Sequence, residues 1–481
     1  MIQHLNNRFL VWAMFAAVVS TIASAQQVVL GPEFNPANGS RYYVVQAANW
    51  TAARSFAVAR GGDLASISDP AENEFIRARL AAASNQKLFL GLNDAATEGQ
   101  LKWSDGTPVT YTNFSGNSNT STNDYAFIEP TLGQWSMGTA SQVQYAVVEH
   151  SGPLLVPEEF ESFSQAAAYA GTMSDEIVLG AGAITLGPGE NFLSPTGHTV
   201  KVRGQGHGVT FLNGPDDSEQ LADFFGSWEF HDLTFRRLLS STTHPNMAQG
   251  SFLLRRCGFE SVETGLMPMA AVQAASARFE NCRFTSGGSP LLITTNYPQP
   301  VTLTNCGLVT EGVTALMASS REVSLTNCTV VAMQPDTNDY VFEGTADYVL
   351  ANCIVKSGGQ PVIGFGTSLD ATFSVIPGGW PGTGNISADP MLTSSTDLRL
   401  LPGSPCIDAG DADAYTGRLS DVYGEPRFWD DPTTPNQGSA EAIDIGCSEF
   451  QSESCPADFD GTGFVDTDDF TAFVLSFEAG C

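Results

Sequence analysis

Positive charge is what this sequence has least of. Lysine and arginine together number 21 against 52 aspartates and glutamates, a formal net charge of −31. A field of that sign repels phosphate backbones and anionic lipid headgroups, which excludes nucleic-acid binding and electrostatic docking on membranes. Charged residues of either sign make up only 15%, against roughly 25% in ordinary soluble proteins. Long apolar runs are missing beyond the N-terminus, and a membrane-spanning helix needs ~20 such residues. Catalytic groupings are missing as well. The histidines His4, His150, His198, His207, His231 and His244 are scattered. No nucleophile–base set, cofactor loop, zinc constellation or pair of carboxylates at glycosidase spacing stands out. Residues 28–150 contain no cysteine, so that stretch folds without disulfides.

Turn formers are plentiful, with 47 glycines and 26 prolines, and hydrophobic residues reach 42%. This composition excludes both low-complexity disorder and an all-helical fold. At 481 residues the chain holds several domains, since one domain takes ~100–200 residues. Residues 1–25 read as a secretion signal, with Arg8, an apolar run from Phe9 to Ile22 and the small-residue site Ala23-Ser24-Ala25. Export permits disulfides.

Residues 28–150 have a mixed pattern. Trp50 to Ala59 and the stretch around Phe75, Ile76 and Leu80 have helical spacing, with the turn Gly61-Gly62-Asp63 between them. Strand-like segments follow: Leu88-Phe89-Leu90-Gly91-Leu92-Asn93-Asp94, Gln100-Leu101-Lys102-Trp103, Asp124-Tyr125-Ala126-Phe127-Ile128, Gly133-Gln134-Trp135 and Tyr145-Ala146-Val147-Val148-Glu149. A long polar loop, Ser115 to Asn123, interrupts them. This order resembles the C-type lectin-like domain, through Leu90-Gly91-Leu92-Asn93-Asp94, Glu98-Gly99, Trp103 with Asp105-Gly106, and the closing Tyr-x-Val-x-Glu. The resemblance implies a sugar site built on calcium in the long loop. Its ligand positions fall on Asn117, Asn119, Asn123 beside Asp124, and the Ser136 and Met137 that follow Trp135. One carboxylate and a few amides make a poor calcium cage, because calcium takes six to eight oxygens and methionine supplies none. The expectation is therefore a ligand bound without calcium. Asn117, Asn119, Asn123, Asp124 and Trp135 are the candidate binding residues, with Tyr111, Phe114 and Tyr125 as further aromatic faces.

The middle repeats. Cys257, Cys282, Cys306, Cys328 and Cys353 recur at intervals of 25, 24, 22 and 25 residues. Three residues before each stand Leu254, Phe279, Leu303, Leu325 and Leu350, and two after stand Phe259, Phe284, Leu308, Val330 and Val355. The columns extend back to Leu233 with Phe230 and Phe235, then to Val209 with Phe211. Asn281, Asn305, Asn327 and Asn352 precede the last four cysteines. Short alternating strands at a period of ~24 residues fit a coil whose turns stack at about 4.8 Å. This resembles the right-handed parallel β-helix, in which an asparagine ladder occupies a tight turn. A column of like residues predicts buried free thiols rather than disulfides. Eleven basic residues between Pro153 and Pro405 leave room for a cationic stripe, with Arg236 and Arg256 on neighbouring turns. From Gly382 the pattern changes, and Gly403-Ser404-Pro405-Cys406-Ile407-Asp408-Ala409-Gly410 and Asp444-Ile445-Gly446-Cys447 resemble the closure that caps secreted bacterial β-helices. Cys406 and Cys447 are candidates to pair there, which the sequence alone does not decide.

Residues 455–481 carry a twelve-residue loop of EF-hand type. Asp458, Asp460 and Thr462 take its first, third and fifth positions, the Phe464 carbonyl the seventh, Asp466 the ninth and Asp469 the twelfth. An amphipathic stretch follows, with Phe470, Phe473, Val474 and Phe477. The segment resembles half of a dockerin, which implies Ca²⁺ and a surface or cohesin-like anchoring partner.

The sequence thus reads as a multidomain, mostly β protein. It has a signal at 1–25, an α+β C-type lectin-like head at 28–150, a right-handed parallel β-helix with its closure at 151–450 and a small helical calcium-loop tail at 455–481. The expected role is secreted or cell-surface recognition of a glycan or protein. The rival reading is a β-helix polysaccharide lyase or glycoside hydrolase with a lectin-like targeting domain.

Overall fold

The computed structural model describes residues 27–116, 121–172, 174–187, 190–214, 223–236, 246–248, 251–261, 270–273, 276–287, 291–293, 300–312, 314–318, 322–334, 340–415, 417, 419–438 and 441–451. The segments expected to be a secretion signal and a calcium-loop tail, the latter with Asp458, Asp460, Thr462, Phe464, Asp466 and Asp469, lie outside them. The chain divides at Ser151 into two compact units. No described helix is long and apolar enough to cross a membrane.

The head runs β1 (Gln27–Asn35), β2 (Ser40–Gln46), α1 (Trp50–Val58), β3 (Asp63–Leu64), α2 (Pro70–Ile76), β4 (Leu88–Asn93), β5 (Lys102–Trp103), β6 (Tyr125–Ile128), β7 (Trp135–Gly138) and β8 (Tyr145–His150). Asn49 caps α1 by accepting the Ala52 N–H, and Asp69 caps α2 by accepting that of Glu72, with Pro70 in the first turn. A π-helical turn, Arg77–Ala81, prolongs α2, and left-handed Asn85 stops it after Ser84. The sheet order is β1-β2-β8-β4-β6-β7, with β3 on β8 and β5 on β4. Alternation along β2 sends Tyr42 and Val44 into one core and Tyr43 and Val45 into another. The sheet is buried on both faces, which accounts for the unbroken apolar runs of β2 and β4. In place of disulfides, polar ties join the elements: the Tyr42 hydroxyl bonds Glu72 of α2 at 2.5 Å and Glu149 of β8 at 3.2 Å.

The second unit is a parallel β-helix with three sheets of ten, eight and seven strands; the ten include Leu154–Val156 at one end and Ser368–Thr372 at the other. One representative coil is Glu322–Thr326, Thr329–Ala332 and Phe342–Gly344. The repeat columns face inward as the spacing predicts. Leu254, Phe279, Leu303, Leu325 and Leu350 are buried in the core, as are Phe259, Phe284, Leu308, Val330 and Val355. Phe259 stacks on Phe284 with centroids 4.5 Å apart and planes 7° from parallel. The earliest coil departs from the expected register by one residue. Thr234 pairs with Phe211 and Phe235 with Leu212, which buries Thr210 and Leu212 and leaves Val209 45% exposed.

The five cysteines sit at the corner between the first and second sheets as buried free thiols. Each donates to a carbonyl of the preceding coil, from Cys257 to Phe230 at 3.4 Å through to Cys353 to Leu325 at 3.4 Å. Burial pushes the thiols of Cys257, Cys306 and Cys353 upward, away from the reactive thiolate. Cys406 and Cys447, whose pairing the sequence left open, are likewise free and buried. A thiol alkylator applied to the native protein is expected to leave all seven unlabelled, and to label all seven after denaturation. Peptide mass spectrometry reads this out; native labelling at the column would contradict the inward placement.

Before each column residue the backbone turns left-handed. Asn281, Asn305, Asn327 and Asn352 have φ of 51–54°, and Asp232, Arg256 and Phe373 occupy the same position in other coils. Asparagine tolerates this region where most residues lose ~1–2 kcal/mol. Two of the amides bond along the stack, Asn352 Nδ2 to Asn327 Oδ1 at 3.1 Å and Asn305 Nδ2 to Asn281 Oδ1 at 3.5 Å. Most turn outward to the chain that follows residue 382: Asn281 donates to Ser420 O, Asn327 to Asp444 O and Asn352 to Asp411 O. That segment accordingly lies along this flank. Its Leu398, Leu400, Cys406, Ile407, Ile445 and Cys447 form a separate apolar cluster with Val309, Val331, Ile354 and Val375.

Candidate functional site

In the head, β6 and β7 form an antiparallel pair, with Ala126 opposite Met137 and Phe127 opposite Ser136. The long loop enters along β7. Trp135 N donates to Asn113 O at 2.8 Å, and Ser115 N donates to Trp135 O at 3.0 Å. The loop returns through Asn123 and Asp124, both half-buried, where Asp124 O accepts the Asp94 N–H at 3.1 Å. Asn117 and Asn119 lie outside the described residues. Of the sequence-derived candidates, the structure therefore places Asn123 and Asp124 together at one end of the loop.

Trp135 has a different role from the one its sequence position suggests. It is fully buried. Trp103, Tyr111 and Phe114 all meet its ring edge to face at 5.6–5.8 Å, and its Nε1 donates to Asn73 Oδ1 at 2.7 Å. Its faces are occupied by protein, so it supports the loop and presents nothing to a ligand. Tyr111 and Phe114 are tied up on the same ring, and Tyr125 packs on Trp50 at 4.8 Å. Sequence reasoning overlooked Asn73 and Asn113, whose side-chain amides both donate to Gly133 O. Gly133, at φ 67°, leaves room for Arg77, which a Cβ would meet at 2.9 Å; a glycine just before the tryptophan was the available signal.

Calcium does not fit the described part of this loop. The two positions after Trp135 hold Ser136 and Met137. The Ser136 hydroxyl lies 3.5 Å from that of Ser115, and Met137 is buried in the apolar core. Asp124 is the carboxylate that remains of the set. Among the described residues no group of three or more His, Cys, Asp or Glu side chains is placed to hold a metal ion.

His198 Nδ1 lies 2.9 Å from Asp175 Oδ1, close to Ser194, but the Ser194 hydroxyl donates to the His198 carbonyl at 3.5 Å and accepts the Ser227 N–H. Serine and imidazole are thus not arranged as nucleophile and base. Nor do the described basic residues form a cationic stripe. Arg236 pairs with Glu260, Arg256 with Asp232, Arg255 and Arg278 with Glu280, and Arg203 with Glu176.

Residues 46–149 match the family model described as Lectin C-type domain. Over 84 residues the chain is 37% identical to human C-type lectin domain family 4 member F, covering 17% of this chain and 13% of that protein. It is 35% identical over 75 residues to the mouse secretory phospholipase A2 receptor, or 16% of this chain and 5% of the receptor. The solved C-type carbohydrate-recognition domain of cow CD23 is 25% identical, with a TM-score of 0.21 and coverage of 23% of this chain and 88% of that one. The chain thus spans only a small part of the curated relatives it matches. Its N-terminal unit has the C-type lectin fold, and the unit that follows is a β-solenoid.

Proposed function

We propose that this is an extracellular, surface-associated recognition protein whose lectin-like head binds a glycan or protein ligand, with the β-helix as stalk. The observation that supports it most is the lectin family match over residues 46–149, joined to a long polar loop pinned on both sides of β7. The head engages its ligand without calcium, through Asn123, Asp124 and the amides Asn117 and Asn119. Ca²⁺ belongs instead to the tail, where Asp458, Asp460, Thr462, Asp466, Asp469 and the Phe464 carbonyl supply the oxygens for an anchoring module that meets a surface or cohesin-like partner.

A glycan array probed with the whole chain from Gln26 onward, in calcium and in EDTA, tests this. Binding by the head is expected to be the same in both buffers. A mannose- or galactose-type signal that vanishes on chelation and returns with calcium would overturn the calcium-free reading.

A further inference from the structure

Among the described basic residues of the solenoid, Lys201 and Arg283 are the two that form no ion pair. Lys201 lies on an exposed strand position. Arg283 instead opens into a cleft of about 290 Å³, lined among others by His207, Asp232, Arg256, Asn281 and Tyr423. The cleft exists because cover on the second sheet changes along its length. At Gly307 the flank segment closes in, with Leu398 and Cys447 against the backbone. At Gly258, two coils earlier in the same column, the ring of His207 lies over the backbone, so close that a Cβ there would come within 2.4 Å of Nε2. Arg283 sits between them.

Its guanidinium is held in place. One Nη2 proton goes to Thr396 O at 3.1 Å, and the group lies over Tyr423, 5.0 Å from the ring centroid. The Tyr423 hydroxyl is itself fixed by the Leu398 N–H and Asp397. The acids nearby are engaged elsewhere. Both oxygens of Asp232 take Arg256, and those of Asp421 accept the backbone N–H groups of Tyr423, Glu425 and Glu449. What remains is a positioned guanidinium with spare donors, facing a cleft, in a chain of net charge −31. Such a fork matches a planar or tetrahedral oxyanion.

We propose that this cleft is an oxyanion site on the solenoid, taking a small carboxylate or sulfate group with Arg283 as its main contact and His207 at its rim. The volume is at the small end of ligand pockets, ~300–1,000 Å³, which suits a single charged group or the sugar that bears it. The site is independent of the head. His207 supplies a pH dependence. Burial and then Arg283 hold its imidazole below the usual range, with Arg236 acting in the same sense and Glu260 and Cys282 opposing; the Asp232–Arg256 pair and Asp421 complete the charges lining the cleft. An anion bound beside it favours the protonated ring, so binding takes up a proton and tightens as pH falls.

Calorimetric titration of the full chain with sodium sulfate, sodium acetate and sodium glucuronate, at ionic strength held constant with chloride, tests the site. Saturable binding is expected, stronger at about pH 5.5 than at pH 8. Arg283→Gln is expected to weaken it about tenfold or more, the loss of a charge-assisted hydrogen bond, and Lys201→Gln to leave it unchanged. Tighter binding of glucuronate than of acetate assigns the site to sugar acids, and equal affinities to the bare anion. His207→Asn keeps the test open should Arg283→Gln fail to fold, because it removes the pH dependence while leaving Arg283 in place. Non-saturable heats, equal affinity in wild type and Arg283→Gln, or a pH dependence that survives His207→Asn would overturn the assignment.

Discussion

Trp135→Ala is expected to lower the stability of the head by about 3–5 kcal/mol, the range for removing a buried aromatic side chain. Three aromatic edges lose the ring they pack on, each contact being worth ~0.5–1.5 kcal/mol beyond its buried area. The Asn73 carbonyl also loses its indole donor in a site where an unmade hydrogen bond costs about 1–3 kcal/mol. Because Asn113, Phe114 and Ser115 are held to residue 135 through backbone and ring, the long loop is expected to lose its position and the head its ligand. Denaturant unfolding followed by the fluorescence of the remaining tryptophans measures the loss. Trp135→Phe retains part of the packing but not the indole N–H, so it should fall between the two. A loss below ~1 kcal/mol for the alanine variant would show that the ring is ordinary packing.

Arg427→Met is expected to destabilise the solenoid flank by about 3–5 kcal/mol at neutral pH, the cost of leaving a buried charge without its partner. Arg427 and Glu449 have no exposed side-chain surface, and they approach to 3.4 Å. The same guanidinium donates to Asp444 O and Gly446 O, closing the segment that the asparagine corner holds. Burial pushes Asp444 up to about 7 and Asp408 to about 6, and raises Glu449 as well. Carboxyls with raised folded-state pKa bind protons more tightly when folded. The stability they contribute is therefore complete below the unfolded carboxylate range of ~4 and is lost as pH rises through about 7. Removing Arg427 strengthens this trend, because it withdraws the cation that favours the ionised forms. Thermal melts at several pH values are expected to show the variant furthest below wild type at pH 8 and approaching it near pH 5. A deficit independent of pH would mean that lost packing, not charge, dominates.

Much of this protein is legible from residue order because its regularities are local or periodic. The cysteine interval, with apolar residues three before and two after, specifies which side chains enter the solenoid core, since a strand alternates faces and every coil repeats the choice. Asparagine before cysteine marks the left-handed corner because few other side chains accept that backbone. In the head, the helical spacing from Trp50 and around Phe75 and the order of strands about a long loop carry the fold without cysteine. The Val209 coil shows where this legibility stops: a one-residue shift in the preceding turn exchanges inside for outside, and no local signal registers it.

What only the tertiary structure decided concerns contacts between segments that share no period. The chain after residue 382 flanks the corner because amides at Asn281 and Asn327 meet carbonyls 139 and 117 residues away. The same packing buries Cys406 and Cys447 as free thiols, leaves the Arg283 cleft open, and places Arg427 against Glu449. Trp135 turns inward for a related reason. Whether an aromatic beside a loop meets a ligand or the core depends on which other rings reach it, and Trp103, Tyr111 and Phe114 come from different parts of the chain. Spacing along the sequence sets which face a residue occupies within a repeating element; which distant group then covers that face is settled by packing.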